Sequence, residues 1–123
     1  MNFSDRLAEQ IRLKNNPTVM GLDPRLEYIP ASIKEKHFSG NTDPLKAAAD
    51  SILEFNKKLI DATYDIIPAV KPQLAYYEMY GPEGLRALYE TILYAREKGL
   101  LVISDFFCSS RRRHTRLTCD WSS

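Results

Sequence analysis

Three charged residues stand at or near the ends of three short apolar runs. Asp23 follows Val19-Met20-Gly21-Leu22, Lys71 lies in Ile66-Ile67-Pro68-Ala69-Val70-Lys71-Pro72, and Asp105 closes Leu100-Leu101-Val102-Ile103-Ser104. Two carboxylates and an ammonium group gathered in one small site would perturb one another's ionisation, as functional groups commonly do. Each residue alone reads equally well as a solvated loop residue or a helix cap. Together, at equivalent places, they favour a shared site. Other candidates are weaker. His37 and His114 lie far apart in unlike contexts, so no metal site is expected. Gly81-Pro82-Glu83-Gly84 lacks the Gly-Lys-Ser/Thr of a phosphate loop and reads as a helix start. Tyr76, Tyr77, Tyr80 and Phe55 offer surfaces for base stacking, but aromatics beside a strand end more often serve packing.

The elements that must position the three charges follow from periodicity. Residues 4–14 predict a helix, with Ser4 as cap and Leu7, Ala8 and Ile11 at helical spacing, ended by Asn15, Asn16 and Pro17. Residues 18–22 predict a strand buried on both faces. Arg25 to Asn41 reads as a long loop with one helical turn near Ser32–Lys36. Thr42 or Asp43 then caps a long helix with Pro44 in its first turn, and its apolar stripe is Leu45, Ala48, Ile52, Phe55, Leu59 and Ala62. Residues 66–72 predict a second strand, with prolines tolerable at its ends. Gly81-Pro82-Glu83 opens a helix that turns Leu85, Leu88, Ile92 and Ala95 inward and stops at Gly99. Residues 100–105 predict the third strand.

A helix followed by β-α-β-α-β is the pattern of an α/β fold with a parallel sheet and right-handed crossovers. In such folds the C-terminal strand ends face one crevice, where ligands bind. Three strands cannot close a barrel, and an open sheet leaves edges unpaired and apolar surface wet. So short an assembly buries a small share of its surface, and we expect marginal stability.

Composition limits the function. The 123 residues suffice for one domain; 44% are hydrophobic and 27% charged, and the net charge is +1. No apolar run approaches the ~20 residues that span a bilayer, the start is unlike a secretory signal, and two cysteines make no disulfide framework. A cytoplasmic protein without membrane partners is expected. The averages conceal a seam, however. Residues 1–105 hold thirteen basic and fifteen acidic side chains, whereas residues 106–123 hold Arg111, Arg112, Arg113 and Arg116 against Asp120 alone. Both cysteines and Trp121 fall in that last segment, and every Lys, Gly and Pro precedes it.

Val19-Met20-Gly21-Leu22-Asp23-Pro24, Ala69-Val70-Lys71-Pro72-Gln73-Leu74-Ala75-Tyr76-Tyr77-Glu78 and Leu101-Val102-Ile103-Ser104-Asp105 together resemble the orotidine 5′-phosphate decarboxylase family, in its bacterial type 2 branch. The resemblance covers residues 1–105. It implies the first three parallel strands, with their helices, of a truncated (β/α)8 TIM barrel. It also implies a homodimeric enzyme that converts orotidine 5′-monophosphate to uridine 5′-monophosphate and CO2 in pyrimidine biosynthesis, without metal or organic cofactor. By motif, Asp23 resembles the aspartate that contacts the ribose, and Lys71 the first lysine of an alternating Lys-Asp-Lys-Asp array. Asp105 resembles the first aspartate of the D-x-K-x-x-D motif. There the likeness stops: Phe107 stands where the proton-donating lysine belongs and Ser110 where the second aspartate belongs. The resemblance thus implies a carboxy-lyase by family and an inactive chain as it stands.

Residues 106–123 admit three readings: a basic arm for nucleic acid, an inert tail, or translated sequencing-adapter DNA joined to a truncated reading frame. About four arginine contacts would give only weak, salt-sensitive binding, so nucleic acid is not the expected partner. We expect the third reading, with the junction between Asp105 and Phe107. Two other functions stay open at this point: a non-catalytic α/β binding protein with an Arg-rich tail, and another phosphate-handling TIM-barrel decarboxylase. The Lys71–Gln73 block favours the pyrimidine enzyme over the latter.

Overall fold

A computed structural model of the chain describes residues 2–40 and 43–103. Asp105, Phe107, the junction and the whole of residues 106–123 lie outside the described residues. Within them the order is α1 (Phe3–Lys14), β1 (Val19–Leu22), a 3-10 turn (Leu26–Tyr28), α2 (Ala31–Phe38), α3 (Pro44–Thr63), β2 (Ala69–Pro72), α4 (Ala75–Glu78), α5 (Gly81–Glu97) and β3 (Leu101–Val102). The strands form one parallel sheet in the order β1-β2-β3. Val19 pairs with Ala69, Gly21 with Lys71 and Leu22 with Pro72, while Ala69 and Val70 pair with Leu101 and Val102.

The predicted elements are present, with informative differences. Asn2, not Ser4, caps α1: its Oδ1 accepts from the Asp5 amide at 2.8 Å. Asn15 then adopts the left-handed conformation, φ 51°, that ends the helix. Asp43 caps α3 by accepting from the Leu45 and Lys46 amides. α2 has two turns rather than one, and the short α4 had no signal in the periodicity. β2 begins at Ala69 because the Ile66 and Ile67 amides are taken by the Thr63 carbonyl, in a turn that closes α3. β3 begins at Leu101 because the Leu100 amide caps α5 through the Ala95 carbonyl.

α5 turns Leu88, Ile92 and Ala95 inward as expected but not Leu85, and α3 keeps Ala48 and Ile52 of its expected stripe inside while the rest of its buried face is shifted. α3 buries Ala47, Ala48, Ala49, Ser51, Ile52, Asn56 and Ile60, while Leu45 is 46% exposed and Phe55 and Leu59 lie at the margin. α5 buries Gly84, Ala87, Leu88, Thr91, Ile92 and Ala95, and Leu85 turns outward. The cause is close packing of α3 against α5: small residues occupy the contact and larger ones are displaced to its rim. The start of α5 is as tightly placed against α4, at Gly84. A Cβ there would lie 1.9 Å from the Tyr77 carbonyl oxygen.

The core lies between one face of the sheet and these helices, and contains Leu22, Ile52, Ile60, Val70, Tyr77, Leu88, Ile92 and Val102. The opposite face carries Val19, Gly21 and Lys71, all exposed, with Leu101 and Ile103 half-buried. β1 is therefore buried on one face only, because among the described residues nothing packs on the other. Below the sheet, Lys14 Nζ donates to the carbonyls of Tyr64 and Ile67 at 2.6 and 2.7 Å, fastening α1 to the turn before β2. No helix among the described residues is long and apolar enough to cross a membrane.

Candidate functional site

Asp23 and Lys71 come together on the uncovered face of the sheet. Register sets Gly21 beside Lys71, and side chains alternate along a strand, so Gly21, Asp23 and Lys71 share one face. Asp23 lies one same-face step beyond the level of Lys71, roughly 7 Å along the strand. The absence of a side chain at position 21 opens this corner: a Cβ on Gly21 would meet Asp23 Oδ2 at 3.3 Å. The carboxylate is thus folded back over the glycine. Both side chains are exposed, and among the described residues neither makes a hydrogen bond or ion pair. A free carboxylate and a free ammonium group on adjacent parallel strands, near their C-terminal ends, can bind hydroxyls and hold negative charge. Asp105, the third member of the expected set, lies outside the described residues.

What holds Asp23 in place is buried behind it. Tyr77 is fully buried, and its hydroxyl donates to the Leu22 carbonyl, the last of β1, at 2.9 Å. Asn56 Nδ2 donates to that hydroxyl at 3.1 Å and to Thr91 Oγ1 at 3.2 Å, and Thr91 Oγ1 donates in turn to the Ala87 carbonyl. Burial pushes the Tyr77 hydroxyl far above the ordinary phenol range, and the charge on Asp23 raises it further. It therefore stays protonated and keeps donating. One chain of hydrogen bonds joins β1, α3, α5 and the segment after β2.

Beyond Asp23 the chain turns into a hollow of about 90 Å³ lined by Asp23, Arg25, Tyr28, Phe55, Asn56 and Leu59, among others. The Arg25 guanidinium lies 5.5 Å from the centre of the Tyr76 ring and donates to its hydroxyl at 3.4 Å. Tyr76 and Tyr80 pack against the core, as expected of aromatics in a structural role. His37 Nε2 meets Glu54 Oε1 at 3.1 Å on the outer surface of α3, beside Lys36 at 2.8 Å. Asn56 was missed by the sequence reading. Its signal was a breach in an apolar stripe, an amide one helical turn after Ile52.

No family model matches the chain. Individual proteins do. Over 103 residues, 84% of this chain, it is 44% identical to the orotidine 5′-phosphate decarboxylase of Clostridium perfringens, of which it covers 33%. It is 42% identical over 101 residues to that of Petrotoga mobilis, covering 82% of this chain and 32% of the relative. The Rhodopirellula baltica relative is 37% identical over 105 residues, which is 85% of this chain and 34% of that one. Among solved structures, a Streptomyces avermitilis protein provisionally assigned to the same activity superposes with a TM-score of 0.61 at 26% identity, over 84% of this chain and 32% of that one. A Toxoplasma gondii chain with TM-score 0.65 and 24% identity, covering 85% of this chain and 30% of the other, supports the fold alone. These neighbours are TIM barrels. The chain spans about a third of the length of the relatives it matches, and its fold is that of a truncated barrel with three parallel strands.

Proposed function

We propose that residues 1–105 are part of an orotidine 5′-phosphate decarboxylase, and that Asp23 and Lys71 are two of the groups that would face its nucleotide. The observation that carries this is the placing of the two charges. They are unpaired, on one face, and near the ends of adjacent strands, in a chain 44% identical to such an enzyme over 103 residues.

The chemistry asks for such groups. When the bond from the pyrimidine ring to the carboxylate breaks, its electron pair stays on the ring carbon and CO2 departs. No electron sink in the ring delocalises that charge well. A fixed ammonium group stabilises it, and an acid must then give the carbon a proton. In this reading Lys71 supplies the first positive charge of the array, Asp23 accepts hydrogen bonds from the ribose, and Asp105 continues the array. No metal or organic cofactor takes part, and the intact enzyme is a cytoplasmic homodimer. Phe107 occupies the place of the proton donor, and a phenyl ring has no proton to give, so the 123-residue chain does not turn over.

The test is a chimaera in which residues 1–103 replace the matching part of the Clostridium perfringens enzyme, so that the remainder supplies the missing acid. Decarboxylation of orotidine 5′-monophosphate, followed by absorbance, should be retained. It should fall by at least about 100-fold in Lys71→Ala. A folded chimaera with no activity, or one indifferent to Lys71, would overturn the reading.

A further inference from the structure

The chain around Asp23 is gripped on both sides by two consecutive residues of one short helix. Before the aspartate, the buried Tyr77 hydroxyl donates to the Leu22 carbonyl at 2.9 Å. After it, Arg25 Nη2 donates to the Tyr76 hydroxyl at 3.4 Å, and the guanidinium lies 5.5 Å from the centre of that ring. Only Asp23 and Pro24 stand between the two ties. Proline fixes its own φ and confines the residue before it to extended backbone. Arg25 is extended as well, at φ −109° and ψ 136°. Leu22 and Pro24 are buried while Asp23 and Arg25 are exposed, so the alternation of β1 runs on past its last ladder pair. The span is stiff and has a fixed point at each end.

Both ties come from α4, which follows β2 after two residues. The Tyr76 amide donates to the Gln73 carbonyl and the Tyr77 amide to the Leu74 carbonyl, so the two tyrosines are fastened to the connection that leaves the Lys71 strand. Asp23 and Lys71 are thus referred to one short segment although they lie on different strands. We propose that Tyr76 and Arg25 are positioning residues for Asp23. They hold the carboxylate in its place over Gly21 before a nucleotide arrives. Without the second tie the aspartate turns about its Leu22 anchor, and a displacement of about 1 Å can cost about 100-fold in rate. The inference rests on the proposed function, in which Asp23 meets the ribose, and adds which residues keep it there.

The test has two arms. The first needs no turnover: hydrogen exchange in the 123-residue chain at the Tyr28 amide, which donates to the Arg25 carbonyl at 2.9 Å. Arg25→Met should speed that exchange about two- to fivefold, the strength of one exposed cation–ring contact, and Tyr76→Leu should match it. Unchanged exchange in Arg25→Met would overturn the proposal. The second arm measures kcat/KM for orotidine 5′-monophosphate in the Clostridium perfringens chimaera. Arg25→Met and Tyr76→Leu should each lower it about tenfold, and together no further than either alone. Tyr76→Phe, which keeps the ring beside the guanidinium, should recover the activity to within about threefold. Glu27→Gln, which removes only the 3.6 Å ion pair with Arg25, should be neutral. In an Asp23→Ala background Arg25→Met should change nothing further. An undiminished Arg25→Met effect there means that the guanidinium meets the nucleotide itself, against the proposal. A loss in Glu27→Gln equal to that in Arg25→Met counts against it too. Where Asp23→Ala leaves too little activity to follow, the exchange arm decides. A folded chimaera without activity overturns the proposed function alone, and the exchange arm still judges the two ties.

Discussion

The Tyr77 hydroxyl donates to the Leu22 carbonyl at 2.9 Å across 55 residues of sequence, and the carboxylate of the very next residue, Asp23, lies near enough to raise the tyrosine's pKa. The bond pins the end of β1 to the segment after β2, so the loop that carries Asp23 begins from a fixed point. In Tyr77→Phe, the Leu22 carbonyl and one proton of Asn56 lose their partner inside the core. We expect a loss of about 1–3 kcal/mol in stability, seen as a lower urea midpoint with an unchanged slope. An unaltered midpoint would mean that water replaces the hydroxyl and that the tie is dispensable.

The glycines of the α5 entrance make a second pair of expectations. At Gly84 an alanine methyl would be driven against the Tyr77 carbonyl at 1.9 Å, so the α5 backbone must move away from Tyr77. Gly81, at φ +67° with open space around it, meets only the conformational cost of a side chain in the left-handed region. Gly84→Ala should cost about 2–3 kcal/mol or more and Gly81→Ala about 1 kcal/mol, both by denaturant titration. A reversed order would show that the contact of α5 with Tyr77 is looser than its geometry.

How much of this was legible beforehand follows from which forces write themselves into sequence. Asp23 and Lys71 could be read because a charge that interrupts or closes an apolar run marks the end of a parallel strand, and register then brought them to one face. The helices could be located from period and caps, and the centres of their buried faces with them, but not the edges of those faces. Leu45 and Leu85 are as apolar as Ile52 and Leu88, and only the close approach of α3 to α5 decides which pair is buried. Asn56 and Thr91 were not singled out by the sequence pattern. They are buried because each finds partners from elements far away in sequence, and hydropathy holds no record of that.

Acid should weaken the outer layer through Glu54. Its carboxylate takes Lys36 Nζ at 2.8 Å, His37 Nε2 at 3.1 Å and Lys58 Nζ at 3.6 Å. The hydrogen bond from Lys36, the largest cause, holds its pKa below the ordinary carboxylate value of 4.5, aided by His37 and opposed by partial burial. A depressed folded pKa means that the unfolded chain binds the proton first. The stabilisation is therefore complete above about 4.5 and is lost as pH falls through the folded value. The group is near the surface, so the effect is no more than about 1 kcal/mol. Glu54→Gln should flatten stability against pH below 4.5 and lower stability at neutral pH by the same amount, no more than about 1 kcal/mol. An identical acid slope in the variant would assign it to other carboxylates.

The 123-residue chain itself should decarboxylate orotidine 5′-monophosphate no faster than buffer does. Lys71, the first charge of the proposed array, and Asp23, the proposed ribose contact, stand ready on one face, but electrostatic stabilisation without the array's acid leaves the carbanion with no proton donor. Phe107 is in the position where the motif calls for lysine. Phe107→Lys alone should not restore turnover, because the nucleotide would still lack the walls that a closed barrel provides. The chimaera supplies both the acid and the walls. Activity above background in the purified chain, abolished by Lys71→Ala, would show that the acid comes from elsewhere and that the roles assigned here must be redrawn.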